Sequence, residues 1–461
     1  MTDPTPSGVA DAVVIGAGPN GLVAANLLAS AGWDVVVLEA TGRIGGAVST
    51  AELTAPGFRN DRYSAFYPFA AASPPLRELD LDRYGLRWTH AQAVLAHVFG
   101  DGRAAVMHRD PAGTAAALDE FAAGDGQRWL DLVAQWDRVA DDVCATLLTP
   151  FPPVRAGARL LGRLGPARAL RLARQALLPV REFAEQTFAG DGARALLTGL
   201  AMHVDLVPDG AGSAGYGWLL AMIGQRYGYP VPVGGAQRLT DALAVRLRAY
   251  GGRMHCSAPV DRVLVAGGRA LGVRCLDGRL WRARRAVLAD VPAPQLYRHL
   301  VAAGHLPPRL LDDIAAFRWD QPTLKVDWAL SGPVPWLDRA AGPAGTIHIG
   351  VDGAGFTDVA ADLATGRVPA EPFIVAGQMS TADPTRSPAG TESMWAYTHL
   401  PARCATGWPE VEAQRHADRV EATFERAAPG FRDLVLARHV AGPTTMELDQ
   451  PSLVGGSIGG G

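Results

Sequence analysis

Lysine is nearly missing from this chain. Of 43 basic side chains only Lys325 is a lysine, and the rest are arginine. With abundant Ala, Gly and Pro, that bias reads as the codon usage of a GC-rich genome, and it makes the one lysine conspicuous. No excess of positive charge exists either: the net charge is −3, which excludes a global pull toward nucleic acid. Cysteine is scarce. Cys144, Cys256, Cys275 and Cys404 are scattered and form no CxxC, which argues against a redox dithiol, a zinc cluster or any other metal site. No apolar run approaches the ~20 residues of a membrane-spanning helix, and the polar first ten residues do not resemble a signal peptide. A cytoplasmic protein is expected, with association at a membrane surface as the alternative. The 461 residues, 48% hydrophobic, suffice for a large core and two domains.

The chain is organised around residues 11–46, DAVVIGAGPNGLVAANLLASAGWDVVVLEATGRIGG. Val13, Val14 and Ile15 form an apolar run suited to a buried parallel strand. Gly16-Ala-Gly-Pro-Asn-Gly21 follows at once and matches G-x-G-x-x-G. Residues 22–31 read as a helix closed by Gly32, and residues 34–38 as a second buried strand with Glu39 at its end. Gly16 permits the tight turn, Gly18 lets backbone approach a pyrophosphate at a helix N-terminus, and Gly21 lets helix and strand pack closely. Glu39, 23 residues after Gly16, stands where a carboxylate accepts from ribose hydroxyls. Strand, glycines, helix, strand and acid all occur in order, which a chance match would not supply.

Further along, the aromatic group Tyr63, Phe66, Tyr67 and Phe69 reads as core. Residues 86–108 read as a strand pair turning at residues 100–102, and residues 113–148 as helical. Residues 155–181 carry seven arginines and no acid, with leucines between them and a break at Gly165-Pro166. This segment is expected to be a mobile lid at a substrate entrance, with weak contact to an anionic membrane surface at most. A second G-x-G-x-x-G string, residues 210–215, follows Pro208-Asp209 instead of a strand, so it is read as a loop before a helix. Residues 232–289 then read as a glycine turn, a helix, a strand, a hairpin and a returning strand. Residues 323–336, 373–379 and 393–400 give further strands, and residues 408–428 an acidic helix.

Arg43-Ile-Gly-Gly46 resembles the R-x-G-G extension of FAD enzymes in the amine oxidase and phytoene desaturase superfamily, an extension that NAD domains usually lack. The P-x-G-G of residues 232–235 and the strands after it look like the second FAD block of that superfamily, where a valine main chain touches adenine; the matching residue is Val260. The phrases VVIGAGPNGLVAANLLA, SAFYPFAAASP, GYPVPVGGAQRLTDAL, DPTRSPAG, WAYTHLP and APGFRD resemble bacterial phytoene desaturase-like FAD oxidoreductases. Within them they are most similar to the group around pyridine nucleotide-disulfide oxidoreductase domain-containing protein 2. The resemblance covers nearly the whole chain. It implies an α/β fold with a discontinuous Rossmann-type FAD-binding domain and a mixed α+β substrate domain. FAD-binding parts are expected at 1–75 and 229–295, a mostly helical substrate part at 76–228 and a sheet-and-helix part at 296–440. Residues 441–461 are expected to begin a segment that closes the FAD site, a segment that looks truncated against the family pattern.

FAD is therefore the expected cofactor, held by Gly16, Gly18, Gly21, Glu39, Arg43, Gly45, Gly46 and Val260. The expected activity is hydride transfer from a small hydrophobic substrate to flavin, of the desaturase or dehydrogenase type. A flavin amine oxidase is one alternative, and a non-catalytic binding protein of the GDP-dissociation-inhibitor type is another. His203, His348, Tyr397 and His399 are polar candidates for the cavity. Lys325 lies in TLKVDWAL, where Leu324, Val326 and Trp328 share one face of a strand and Lys325 and Asp327 the other. Amine oxidase relatives carry a lysine at the similar place. By that resemblance Lys325 faces the flavin, positioning a water or stabilising the reduced ring; an ion pair with Asp327 is the alternative.

Overall fold

A computed structural model of the chain describes residues 7–149, 152–402 and 407–460. Cys404 lies outside the described residues. Two large sheets dominate. The first has six strands in the order Val260–Ala266, Arg269–Cys275, Leu280–Ala289, Gly8–Ile15, Val35–Leu38, Arg253–His255. Its last four strands run parallel, and the hairpin at the other edge is antiparallel. Chain segments 8–38 and 253–289 thus interleave in one sheet. Alternate residues feed two cores, as a parallel sheet covered on both faces requires. Val14, Val35 and Val37 pack with Leu22, Ala25 and Leu243 on one side, and Val13, Val36 and Leu38 with Val273 and Trp281 on the other.

The helix Pro19–Ser30 starts directly on the glycine turn, with Pro19 at its first position where no intrahelical N–H is needed. Beside it lies the helix Gln237–Ala249. Asn26 Nδ2 donates to Leu22 O and to Leu243 O, so a buried amide bolts the two together.

The second sheet has seven strands in the order Val435–Ala441, Thr323–Leu330, Glu392–His399, Ile374–Gln378, Ala344–Ile349, Ala93–Val98, Ala104–His108. On one face Leu324, Val326 and Trp328 meet Phe424 and Phe431, the former on the helix Glu410–Ala427. On the other, Leu95, Val375 and Trp395 meet a helical layer built around Trp129, Trp136 and Trp218.

Three details differ from the sequence reading. Residues 113–148 are two helices, Pro111–Asp119 and Asp125–Leu147, separated by Gly124 at φ +91°. Residues 253–266 are not one strand. Ser257 takes φ +50° and Pro259 follows, so Arg253–His255 joins one edge of the sheet and Val260–Ala266 the opposite edge. Of the four aromatics expected in the core, Phe69 is exposed. The basic segment does break at Gly165-Pro166, into Val154–Leu164 and Pro166–Leu177.

Where the sheets meet, a fully buried ion pair joins three segments. Arg386 Nη2 lies 2.8 Å from Asp61 Oδ1, and neither side chain is exposed. Asp61 Oδ1 also accepts from Thr50 Oγ1 and from Ala236 N, while Arg386 Nε donates to Arg59 O. Removing one partner would leave a charge buried alone. Arg386→Met is expected to lower unfolding free energy by about 3–5 kcal/mol, and R386M/D61N by clearly less than the sum of its singles. Chemical denaturation of the three variants measures this; additive effects would show that the two charges do not depend on each other.

Candidate functional site

Ile15 pairs in register with Leu38 on one side and Ala289 on the other. The next residues, Gly16, Glu39 and Asp290, therefore emerge side by side at the carboxyl ends of three adjacent parallel strands. That is where α/β sheets bind ligands. A cavity of about 770 Å³ opens there. Gly16, Gly18, Glu39, Gly46 and Val260, from the expected set, line it. Gly21, Arg43, Gly45 and Lys325 are not among its lining residues.

Each wall residue is held for a physical reason. Gly16 has φ +98°, and a Cβ there would come within 2.6 Å of Asp290 O. Gly18 has an ordinary extended conformation, φ −67° and ψ 173°, that any residue could adopt. A Cβ there would meet only Asp290 Oδ2, at 3.0 Å, so glycine at this position keeps space open at the helix N-terminus. Gly21 packs against Gly16 O, only 2.4 Å from where its Cβ would be. Glu39 Oε2 accepts from Ala17 N (2.9 Å) and Oε1 from Thr41 N (2.8 Å). Oε1 also accepts from Thr41 Oγ1 at 2.8 Å, so these bonds aim the carboxylate and leave a lone pair on Oε2 for a hydroxyl-bearing ligand.

The R-x-G-G turn is tied to the first glycine turn, since Gly45 N donates to Ala17 O. Gly45 and Gly46 have φ +109° and +56°, and Gly46 comes close to Gly18 Cα. Arg43 Nη2 pairs with Asp449 Oδ2 at 2.8 Å, and Asp449 also takes Arg62 Nη1 and Tyr63 Oη. Burial would raise the Asp449 carboxyl, but the Tyr63 hydroxyl and the two arginines hold it below its usual range. Arg43 Nε is buried without a partner. Sequence reasoning missed two acids here. Asp449 gave no local signal. Asp290 did: it ends the returning strand, as Glu39 ends the second. Its Oδ2 accepts from Gly21 N at 2.7 Å, capping the helix Pro19–Ser30. Burial raises the Asp290 carboxyl, opposed by the Gly21 N–H and reinforced by the charge of Glu39.

Residues 20–397 match the family described as flavin containing amine oxidoreductase. The chain belongs to that family. It is an oxidoreductase on this ground and on its curated relatives. It is 28% identical over 95% of its length to the mouse pyridine nucleotide-disulfide oxidoreductase domain-containing protein 2, covering 82% of that protein. It is 26% identical to a neurosporene-forming phytoene desaturase of Rhodobacter capsulatus, over 95% of this chain and 82% of that one. An oxidoreductase structure from Methanosarcina mazei shares the fold, with TM-score 0.59, 15% identity and coverage of 94% and 87%. The cavity fits the family's flavin cofactor: its wall approaches with bare backbone at Gly18 and Gly46, and a Cβ at Gly18 would fill part of the cradle.

This flavin-family chain brings its polar candidates together on the helical face of the second sheet. His203 Nε2 and His348 Nε2 are 2.6 Å apart, and Tyr397 Oη donates to His203 O at 3.4 Å. The Tyr397 and His399 rings stand edge to face, 5.8 Å apart. Gly199 allows the approach, since a Cβ there would lie 2.4 Å from His348 Nδ1. His97, the register partner of His348, extends the group and was not foreseen. Burial pushes His97 and His203 down to about 3 and His399 to about 4, with His348 well below its ordinary value, so all four are neutral at pH 7. Lys325 Nζ pairs with Asp327 Oδ1, both buried, and Lys325 is the register partner of Tyr397.

His97 is fully buried with neither ring nitrogen partnered. In the unfolded chain it takes a proton near pH 6.5. In the folded protein it stays neutral down to about 3. The unfolded state thus binds more protons between those values, and stability falls as pH drops through that window. His97→Leu is expected to stabilise by about 1–3 kcal/mol at pH 7. It should also flatten the acid limb by about 1.4 kcal/mol per pH unit. Unfolding curves at several pH values check both; an unchanged slope would show that His97 is already protonated or solvated in the fold.

Proposed function

We propose that this oxidoreductase binds FAD in the cavity at the strand ends and removes hydride from a small hydrophobic substrate, in the manner of a desaturase or dehydrogenase. The observation that carries the reading is the pair of bare backbone approaches at Gly18 and Gly46 beside Glu39, in one cavity also bordered by Val260. On this reading Gly16, Gly18 and Gly46 make room for the pyrophosphate, Glu39 takes ribose hydroxyls and the Val260 main chain meets adenine. Gly21 and Gly45 shape the two turns from behind. Arg43, anchored by Asp449, keeps the R-x-G-G turn against the first glycine turn. Segments 1–75 and 229–295 form the FAD-binding part, and 76–228 and 296–440 the substrate part. Support for that division is that all strands of the six-stranded sheet fall in 8–38 and 253–289.

Bound FAD supplies the hydride acceptor; the chain supplies a dry enclosure and orientation. The similarity to a phytoene desaturase, together with the neutral, buried polar groups on the sheet face, favours an apolar substrate over a cation. Lys325 is assigned to the flavin side of the substrate part, held in orientation by Asp327.

Two measurements test this. Titration of the apoprotein with FAD should give stoichiometric binding, and Gly18→Val should weaken it at least about a hundredfold by filling the anion site. A Gly18→Val protein with full flavin occupancy would refute the site. For Lys325→Met, reduction and reoxidation rates should fall by well more than about threefold, which corresponds to about 0.7 kcal/mol, with FAD retained. Because that variant strands Asp327, K325M/D327N is measured beside it; wild-type rates in the double variant would remove Lys325 from the flavin side.

A further inference from the structure

The helices Val154–Leu164 and Pro166–Leu177 carry more apolar surface than the core can use. Their inner side chains, Leu160, Leu164 and Leu172, pack against the helical core. Their outer side chains do not. Val154 is 69% exposed, Leu161 59%, Leu170 72% and Leu177 68%. These are not scattered positions. Val154, Ala158 and Leu161 fall at i, i+4 and i+7 along the first helix, and Leu170, Ala173 and Leu177 at i, i+3 and i+7 along the second, so each helix shows one outward apolar stripe. Both helices turn their inner leucines to the same core, so both stripes point away from it.

Arginines flank the stripes. Arg155 and Arg159 lie beside the first, and Arg171 and Arg174 beside the second, with Arg168 near the turn between the helices. Residues 154–181 contain no acid. Arg163 reaches Asp142 and Arg181 reaches Asp209, both acids from outside the segment. Arg155, Arg159 and Arg168 are exposed and make no ion pair among the described residues. A lid over a cavity explains the inner leucines. It does not explain large apolar side chains turned outward between unpaired cations.

We infer that the outer face of this helical hairpin docks on an anionic lipid bilayer, its leucine stripes in the acyl boundary and its arginines at the phosphates. The chemistry fits on both counts: apolar stripes at helical spacing beside a one-signed positive rim are what an in-plane amphipathic helix presents to such a surface, and arginine matches phosphate oxygens as a fork of donors. Among the described residues no helix is long and apolar enough to cross a membrane, so attachment through this face is peripheral. The contact uses none of the residues assigned to FAD, and it stands or falls independently of that assignment.

The full chain is sedimented with vesicles of phosphatidylcholine alone and of phosphatidylcholine with about 30 mol% phosphatidylserine. At low salt, partition into the anionic vesicles should be at least about tenfold stronger, and about half-molar salt should reverse most of it. L161S/L170S/L177S should lower anionic partition at least about tenfold, and R155E/R159E/R168E should remove the preference for phosphatidylserine. Both variants change exposed side chains, so both should keep the parent's thermal unfolding midpoint and its FAD stoichiometry. Equal partition into the two vesicle types, no partition at all, or wild-type partition in the leucine variant would overturn the proposal. So would a wild-type dimer that the leucine variant dissolves and anionic vesicles do not displace, for then a second copy covers this face.

Discussion

The architecture hinges on the buried pair of Asp61 and Arg386. A carboxylate and a guanidinium without exposure are costly to desolvate, and their attraction offsets that only when the remaining donors and acceptors are met. Thr50, Ala236 and Arg59 meet several of them, while Asp61 Oδ2 and Arg386 Nη1 have no partner among the described residues, and these contacts bring residues 50–61, 232–237 and 383–386 to one point. Gly234 N is held there too, by Asp383 Oδ2 at 2.7 Å. That junction starts the helix Gln237–Ala249, which runs beside Pro19–Ser30. The helix Pro19–Ser30 is thereby tied by a contact formed more than two hundred residues downstream, between Asn26 and Leu243. The pair is thus less a source of net stability than a device for register between the two sheets.

From that junction the electrostatics of the cavity follow. A helix N-terminus attracts negative charge, and two acids already stand at it. Glu39 spends its charge on the amides of Ala17 and Thr41. Asp290 spends part of its own on Gly21 N and is pushed toward its neutral form by burial. An anionic ligand entering here meets acids already hydrogen-bonded to backbone amides, and not two free carboxylates. The same logic explains Arg43. Its guanidinium is drawn back to Asp449 with Arg62, so the positive charge near the R-x-G-G turn is shared across a network and does not face the cavity alone.

The strand–glycine–helix–strand unit of residues 8–39 was legible because local rules and tertiary demand agree there. The strand, the glycines, the helix and Glu39 all fall within about thirty residues, and each glycine answers to a single steric need, as the close approaches at Gly16 and Gly21 show. The three antiparallel-linked strands of residues 260–289 were legible for the same reason, their turns being written in Gly267-Gly268 and Asp277-Gly278. What stayed hidden depends on contacts between distant segments. Asp290 and Asp449 become site residues only when register brings the end of the third strand beside Gly16 and folds residues 443–449 back on Arg43. The split at Ser257 was hidden because one strand-like stretch serves two opposite sheet edges. The outward leucines of 154–177 were visible as an amphipathic pattern, but which leucines face the core is decided by packing.

On the helical face of the second sheet the polar side chains share one feature. His97, His203, His348 and His399 are kept neutral by burial, Tyr397 keeps its proton, and the only lysine shares its charge with Asp327 inside the fold. A region so arranged presents hydrogen-bonding atoms without net charge, in surroundings too dry to screen any charge that appears. Asp205 also stands 3.8 Å from His399 Nδ1, and burial raises its carboxyl to about 6. A polar centre placed in these surroundings would meet dipoles already in position. The sequence property that permits this is the one noted at the outset: with lysine almost eliminated, the chain places its one compact ammonium in a buried strand and gives every other one of its 43 Lys/Arg positions to arginine.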